Sequence, residues 1–275
     1  MVNTKMRHTL IAWALIGPIA VVILFPFAVM LITALKPADE VLQPHWWPRN
    51  PQWGNFIAMW KATNFGPALL NSLLVSGFST ALAVAVSVPA AYALARMPFR
   101  GKGAFRQFLL ISQMLSPIVL VLGLFQLVAS LGLLDSKLSI VLVYAAFAIA
   151  FATWLLQSYF STIPRDLEEA AWIEGASRTT AIRTVFLPLA LPAIAVTCIF
   201  TFVQAWNEFV LALTLLRSQE SYTLPIQIFS LVAGRYTIEW NYVMAAALVA
   251  TVPVAIVFAI MQRHLVRGLA SGAVK

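Results

Sequence analysis

Residues 138–160 read LSIVLVYAAFAIAFATWLLQSYF, a run of 23 residues without a charged side chain. A helix needs about 20 consecutive apolar residues to cross a bilayer, so this run predicts a membrane span. Similar apolar runs lie on both sides of it. Together they predict an all-α polytopic membrane protein with six transmembrane helices, at about 10–35, 67–95, 107–130, 138–160, 190–216 and 241–262.

The composition agrees with this fold class. The 275 residues are 61% hydrophobic and 10% charged, with a mean hydropathy of +0.87, whereas soluble domains are roughly half apolar and a quarter charged. Six spans leave little chain for a soluble domain, so we expect a single transmembrane domain over 1–275, with the lipid bilayer around it.

The net charge of +8 reflects a shortage of acids in the spans and does not indicate a nucleic-acid partner. One cysteine, Cys198, excludes an intrachain disulfide and a CxxC site. The three histidines, His8, His45 and His264, lie far apart outside the spans, so no metal site is expected.

The loop charges predict the orientation. Twelve Lys and Arg residues fall on the side of the two termini and six on the other side, and the positive-inside rule therefore predicts that both termini are cytoplasmic. The first apolar run exceeds the 7–15 residues that a signal peptide uses, so we expect it to be a span.

Two segments are expected outside. Residues 36–66 are rich in Pro and Trp, which favours a stretch along the outer surface with a possible interfacial helix at Gln52–Thr63. Membrane anchoring explains these Trp residues better than ligand binding does. Residues 217–240 are interpreted either as a surface for a soluble partner or as a solvated loop.

The least membrane-like cytoplasmic stretch is 161–188. Acids follow Pro164 and favour a short helix, Gly175 can adopt the left-handed conformation that ends it, and a second helix is expected from about Arg178 to Pro188. Such a helix, with small residues flanked by charges, is typical of a docking element. A linker that packs under its own bundle is the alternative, and these residues alone leave both open.

The same stretch carries a recognisable pattern. Glu169–Ala171, three residues, Gly175, nine residues and then Val185–Pro188 resemble the EAA loop (E-A-A-x3-G-x9-I-x-L-P) of binding-protein-dependent ABC importers, with Val185 in place of the usual Ile. Residues 91–102, 206–209 and 262–275 make the chain similar to carbohydrate-uptake permeases of the type of the maltose transporter's smaller membrane subunit.

The resemblance implies a transport subunit of a bacterial plasma (inner) membrane importer that moves a sugar-like solute by alternating access. It implies as partners a second, larger (MalF-like) permease subunit, a homodimeric ABC ATPase and an external or periplasmic solute-binding protein. No GxxxxGK[ST] pattern occurs, so this chain is not expected to hydrolyse ATP. The resemblance implies a transport subunit that binds no cofactor and is not itself an enzyme, with ATP and Mg²⁺ on the partner ATPase. The residues implied to couple to it are Glu168, Glu169, Ala170, Ala171, Trp172, Gly175 and Arg178.

Glu208 is the one acid within a predicted span, and a buried ionisable group in a membrane is costly enough to indicate a function. We expect Gln204, Asn207 and Glu208 to share a face or adjacent faces in the fifth span. They would line the substrate pathway or gate, or form a polar clasp between helices. Further pathway candidates of lower rank are Asn71, Gln113, Gln126 and Gln157.

Two other functional classes are alternatives to an importer subunit. A self-sufficient secondary carrier or channel is expected to show more ionisable residues in its spans and repeated broken helices in two halves. An intramembrane enzyme requires a nucleophile with a base, or metal ligands, at membrane depth, and no predicted span contains His or Asp. The solute itself does not follow from these residues.

Overall fold

The computed structural model describes residues 2–233 and 237–272, with side chains described for 8, 9, 12–233 and 237–262. In these ranges the chain forms helices and no strand. Arg235 of the second outside segment and residues 273–275 of the C-terminal tail lie outside the described residues.

The longest connection between helices in the described part of the chain is the Pro- and Trp-rich segment between the first and second helices. In chain order the helices are α1 (Val2–Ala34), α2 (Gly54–Ala62), α3 (Phe65–Arg96), α4 (Lys102–Met114), α5 (Pro117–Ser130), α6 (Lys137–Phe160), α7 (Asp166–Ile173), α8 (Arg178–Ala181), a π-helical turn (Ile182–Phe186), α9 (Leu187–Asn207), α10 (Val210–Leu215), α11 (Leu224–Ser230) and α12 (Trp240–Gly272).

Five helices in the described part of the chain are long and apolar enough to cross a membrane: Ala12–Ala34, Phe65–Arg96, Lys137–Phe160, Arg178–Asn207 and Trp240–Gln262. A sixth span arises if α4 and α5 are counted as one bent unit. The prediction of an all-α protein with multiple spans is confirmed. The cytoplasmic location of the termini and the single domain over 1–275 stay predictions.

The third predicted span, 107–130, is not one straight helix. The axes of α4 and α5 differ by 95°, and the break lies at Leu115 and Ser116, both in extended conformation. Pro117 is the cause, because proline disfavours a helical conformation at the residue before it while it fits the first turn of the next helix. Prolines 18, 26, 89, 192 and 253 lie inside helices that continue through them.

The fifth span also differs from the prediction of 190–216. At its start the expected second loop helix is continuous with the span, through α8 and the π-helical turn. At its end the helix stops at Asn207, and Glu208 is extended with ψ 127° before α10 begins. No proline or glycine causes this second break.

The described chain divides into two compact units, Met1–Gly66 with Gln227–Val252, and Pro67–Ile226 with Pro253–Lys275. In the first unit, the Pro- and Trp-rich segment is held to the end of α1. The Asn55 amide donates to the carbonyls of Ala34 and Lys36 at 2.8 and 2.9 Å, and the Gln52 amide N–H donates to Leu35 at 2.8 Å. The expected helix over Gln52–Thr63 is present as α2, and Trp46 and Trp47 are largely exposed.

The second unit carries both candidate sites. Its core includes α6, α9 and α10. Hydrogen bonds to Asp135 connect the loop between α5 and α6 to the segment that follows α10. The amide N–H groups of Arg217 and Ser218 donate to Asp135 Oδ1 at 2.9 and 3.1 Å. Burial opposes ionisation of Asp135, but the hydrogen bonds from Ser218 and Arg217 outweigh it and lower the pKa of the carboxyl from 3.8 to about 2.

Candidate functional site

The predicted docking helix is present as α7. Asp166, Glu168 and Glu169 occupy its first turn, where carboxylates stabilise the positive end of the helix dipole. The helix is only eight residues long, so its stability depends on how its two ends are fixed.

Gly175 fixes the C-terminal end. Its φ is +88°, its amide N–H donates to the Trp172 carbonyl at 3.0 Å, and the Ala176 N–H donates to the Ala171 carbonyl at 2.9 Å. This pair of bonds is a Schellman motif, which requires the left-handed conformation that glycine adopts most easily. The Ser177 hydroxyl then accepts the Thr180 N–H at 3.2 Å and caps α8. The helix, turn and helix predicted from sequence are confirmed.

The N-terminal end is fixed by a buried ion pair. Arg96 Nε, at the end of α3, lies 2.8 Å from Glu168 Oε1, and the two side chains are 8% and 4% exposed. The Tyr92 hydroxyl donates to Glu168 Oε2 at 2.7 Å, and Arg96 Nη2 donates to the Ile163 carbonyl at 2.7 Å. Glu168 therefore points inward, unlike the exposed coupling residues with which the sequence pattern groups it.

Phe186, in the π-helical turn, completes this joint. Its ring is fully buried and meets the rings of Tyr92 and Phe160 edge-on, with centroids 4.9 Å apart in both pairs. The Arg96 guanidinium lies 5.2 Å from its centroid. Polar and aromatic contacts thus connect the loop to α3 and α6, and we call Tyr92, Arg96, Glu168 and Phe186 the α3–α7 joint.

The other coupling candidates form an exposed face. Ile173 is 88% exposed and Trp172 40% exposed, and Glu169, Ala170 and Gly175 are also exposed, whereas Ala171 is half-buried. Arg178 lies over the Trp172 ring at 5.8 Å. Leu167, Trp172 and Ile173 thus form an exposed apolar face among charged residues, which is the kind of face that helix docking uses.

A cavity of about 310 Å³ lies in the same unit. It is bounded by the two broken helices together with α3 and α6. Its lining includes Gln113, Tyr144, Phe147, Phe151, Gln204 and Glu208, and Ser79, Ser112 and Thr201 add hydroxyl groups. The hydroxyls of those three residues donate to carbonyls of their own helices at 2.8–3.2 Å.

Glu208 explains the second helix break. Its Oε1 accepts the Leu211 N–H at 2.9 Å, and its Oε2 accepts the Ala212 N–H at 3.1 Å. The Tyr144 hydroxyl donates to Oε2 at 2.6 Å. The side chain thus replaces backbone carbonyls as the acceptor for the first turn of α10, which lets the chain leave the helix without unpaired amides.

The other pathway candidates lie in different places, and only some of them line the cavity. Gln113 and Gln204 line the cavity with Glu208, whereas Asn207 is exposed and does not line it. Asn71 is buried, and its amide donates to the carbonyls of Glu220 and Tyr222 at 2.8 and 3.0 Å. Asn71 therefore holds the segment after α10, away from the cavity.

Sequence reasoning missed three important partners. Arg96 counted only as one of the twelve basic residues on the side of the termini, and no role was predicted for Tyr92 or Tyr144. A tyrosine within an apolar span was the available signal, because its hydroxyl usually needs a hydrogen-bond partner when buried.

Comparison with known proteins gives consistent matches. Residues 83–271 match the family described as "Binding-protein-dependent transport system inner membrane component". The chain is 36% identical over 254 residues to the sulfoquinovosyl glycerol transport system permease protein SmoH of Agrobacterium fabrum, covering 92% of this chain and 89% of that protein. It is 33% identical over 258 residues to the trehalose/maltose transport system permease protein MalG of Thermococcus litoralis, covering 93% of both.

The fold is similar to that of a solved structure. A bacterial ABC transporter involved in the import of the acidic polysaccharide alginate contains a chain that matches with a TM-score of 0.77 at 23% identity, covering 94% of this chain and 97% of that one.

Proposed function

Because the chain belongs to the family of binding-protein-dependent inner-membrane permeases of ABC importers, we propose that it passes a sugar or sugar-like solute from an external binding protein to the cytoplasm by alternating access. It is a transport subunit of the inner membrane without an ATPase site of its own. The saccharide class is supported by the relatives named for trehalose, maltose and sulfoquinovosyl glycerol.

The partners complete the proposal. A second, larger permease subunit forms the other half of the pathway, and a homodimeric ATPase binds ATP and Mg²⁺ on the cytoplasmic side, where both termini of this chain lie. The exposed face of α7, comprising Glu169, Ala170, Trp172 and Ile173, docks into the surface of one ATPase subunit.

The α3–α7 joint is the observation that carries this proposal. The buried ion pair between Arg96 and Glu168 holds one side of α7 on α3, while Ile173 on the same helix is 88% exposed and accessible to a partner. Arg96 is 17 residues from Ser79, which lines the cavity on the same helix, and this separation corresponds to about 26 Å of helix. Movement of α7 by the ATPase is thereby transmitted along α3 to the cavity wall as a rigid-body shift.

Affinity purification of the tagged chain from its native membranes in mild detergent tests the assembly. We expect a second permease and an ATPase to co-purify, with ATP hydrolysis in the eluate. A chain that purifies alone and transports solute in liposomes without ATP would replace this proposal with the secondary-carrier alternative.

A further inference from the structure

We propose that the cavity beside Glu208 binds an uncharged saccharide unit and disfavours anionic solutes, with the amides of Gln113 and Gln204 as the groups that bind its hydroxyls. This inference rests on the proposed function, since it names the solute class of the same importer and places a binding site in this subunit.

The two amides are available for a ligand. Gln113 lies in the last turn of α4 and Gln204 in the last turn of α9, each just before a helix break, and both side chains are exposed where they line the cavity. Within the described residues neither side chain has a hydrogen-bond partner, whereas the cavity hydroxyls are bonded to their own helices. An amide offers donors and an acceptor together, which suits sugar hydroxyls.

Aromatic surface accompanies the amides. Phe147 and Phe151 are one turn apart on α6 and both line the cavity, and Phe151 is supported by an edge-on contact with Phe200 at 6.1 Å. A volume of about 310 Å³ is at the lower end of the range for small-molecule sites, which is roughly 300–1,000 Å³. Apolar walls with a few directed polar groups are the usual composition of such sites.

The charges of the residues that line the cavity favour a neutral solute over an anionic one. None of the described residues that line the cavity is Lys, Arg or His, and Glu208 is the acid among them. Sulfonates and phosphates are normally bound by Arg, Lys or the N–H groups of a helix N-terminus. Two helices begin at the cavity. Pro117, the first residue of α5, has no N–H, and in α10 the N–H groups of Leu211 and Ala212 already donate to the Glu208 carboxylate. From the described residues of this chain, an anion here would meet the Glu208 carboxylate and no cation, at low dielectric.

The test measures binding to the purified complex of both permeases and the ATPase, without the binding protein, by saturation-transfer NMR. The probes are trehalose and maltose, each paired with its phosphate ester, so that each pair differs by one anionic group. We expect saturable binding of the neutral sugar and at least tenfold weaker binding of its ester.

Matched variants locate the site. The double variant Gln113→Ala/Gln204→Ala should bind the neutral sugar at least fivefold more weakly, because each lost hydrogen bond contributes a factor of a few. Gln157→Ala should bind normally, because Gln157 lies on α6 outside the cavity and bonds Ser161. Binding of an ester as tight as that of its sugar, unchanged affinity in the double variant, or no binding of either sugar would overturn the inference. These failures are distinct from failure of the proposed function, which would appear as loss of the co-purifying ATPase.

Discussion

Replacing Gly175 by leucine is expected to lower solute transport by the assembled importer at least tenfold while ATP hydrolysis continues. The φ of +88° at Gly175 costs an ordinary L-residue about 1–2 kcal/mol, and relieving this strain turns α7 away from its docking direction. A Cβ at this position meets no atom within 4 Å, so steric overlap does not contribute. We therefore expect normal membrane insertion together with uncoupled hydrolysis.

Two substitutions control for this result. Gly175→Asn should retain most transport, because Asn tolerates the left-handed conformation better than other non-glycine residues. Gly103→Leu adds the same side chain at an unobstructed glycine in the first turn of α4, where no positive φ is required. It should leave coupling intact. A transport rate in Gly175→Leu equal to that of the parent protein would refute the proposed role of this turn.

Removing the carboxylate of Glu168 is expected to have the largest effect on stability. Glu168→Ala leaves the buried Arg96 guanidinium without its ion partner, and breaking a buried pair in this way typically costs about 3–5 kcal/mol. The Tyr92 hydroxyl also loses its acceptor. Thermal unfolding of the detergent-purified complex should show a clearly lower Tm, and transport should fall with it.

A double variant distinguishes the effect of an unpaired buried charge on the Tm from the effect of lost packing. Arg96→Met/Glu168→Leu removes both charges, and apolar replacement of a buried pair is often neutral or stabilising. We expect it to recover most of the Tm, because Phe186 still packs against Tyr92 and Phe160. The neighbouring Glu169→Ala, at an exposed position of the same helix, should change stability by less than about 0.5 kcal/mol. Equal Tm values for Glu168→Ala and Glu169→Ala would contradict a structural role for the joint.

Local sequence signals predicted the elements of this protein well. The apolar runs located its spans, but proline alone did not locate the break in the third, because Pro117 lies at a break whereas prolines 18, 26, 89, 192 and 253 lie inside continuous helices. The spacing of Pro164, the acids and Gly175 gave α7 and its left-handed end. Each of these features depends on residues within a few positions of one another, which is the range over which propensity and capping act.

The sites depend on contacts that sequence spacing does not encode. Arg96 and Glu168 are 72 residues apart in the chain, and nothing local to Glu168 shows that it points inward while Glu169 points outward. Glu208 was identified as costly in a span, but its use as a helix-breaking acceptor depends on Tyr144, 64 residues earlier. Long-range packing therefore determines which polar residues have a structural role and which can bind a ligand.

The central claim is that the exposed face of α7 contacts the ATPase, and photocrosslinking tests it most directly. In a Cys198→Ala background, a benzophenone maleimide is attached at Ile173→Cys or at Leu42→Cys, where the parent side chains are 88% and 86% exposed. After illumination in membranes, we predict that the Ile173→Cys chain forms a covalent product with the ATPase subunit and that the Leu42→Cys chain forms none. A product with the ATPase from Leu42→Cys, or none from Ile173→Cys in complexes that still hydrolyse ATP, would contradict the account.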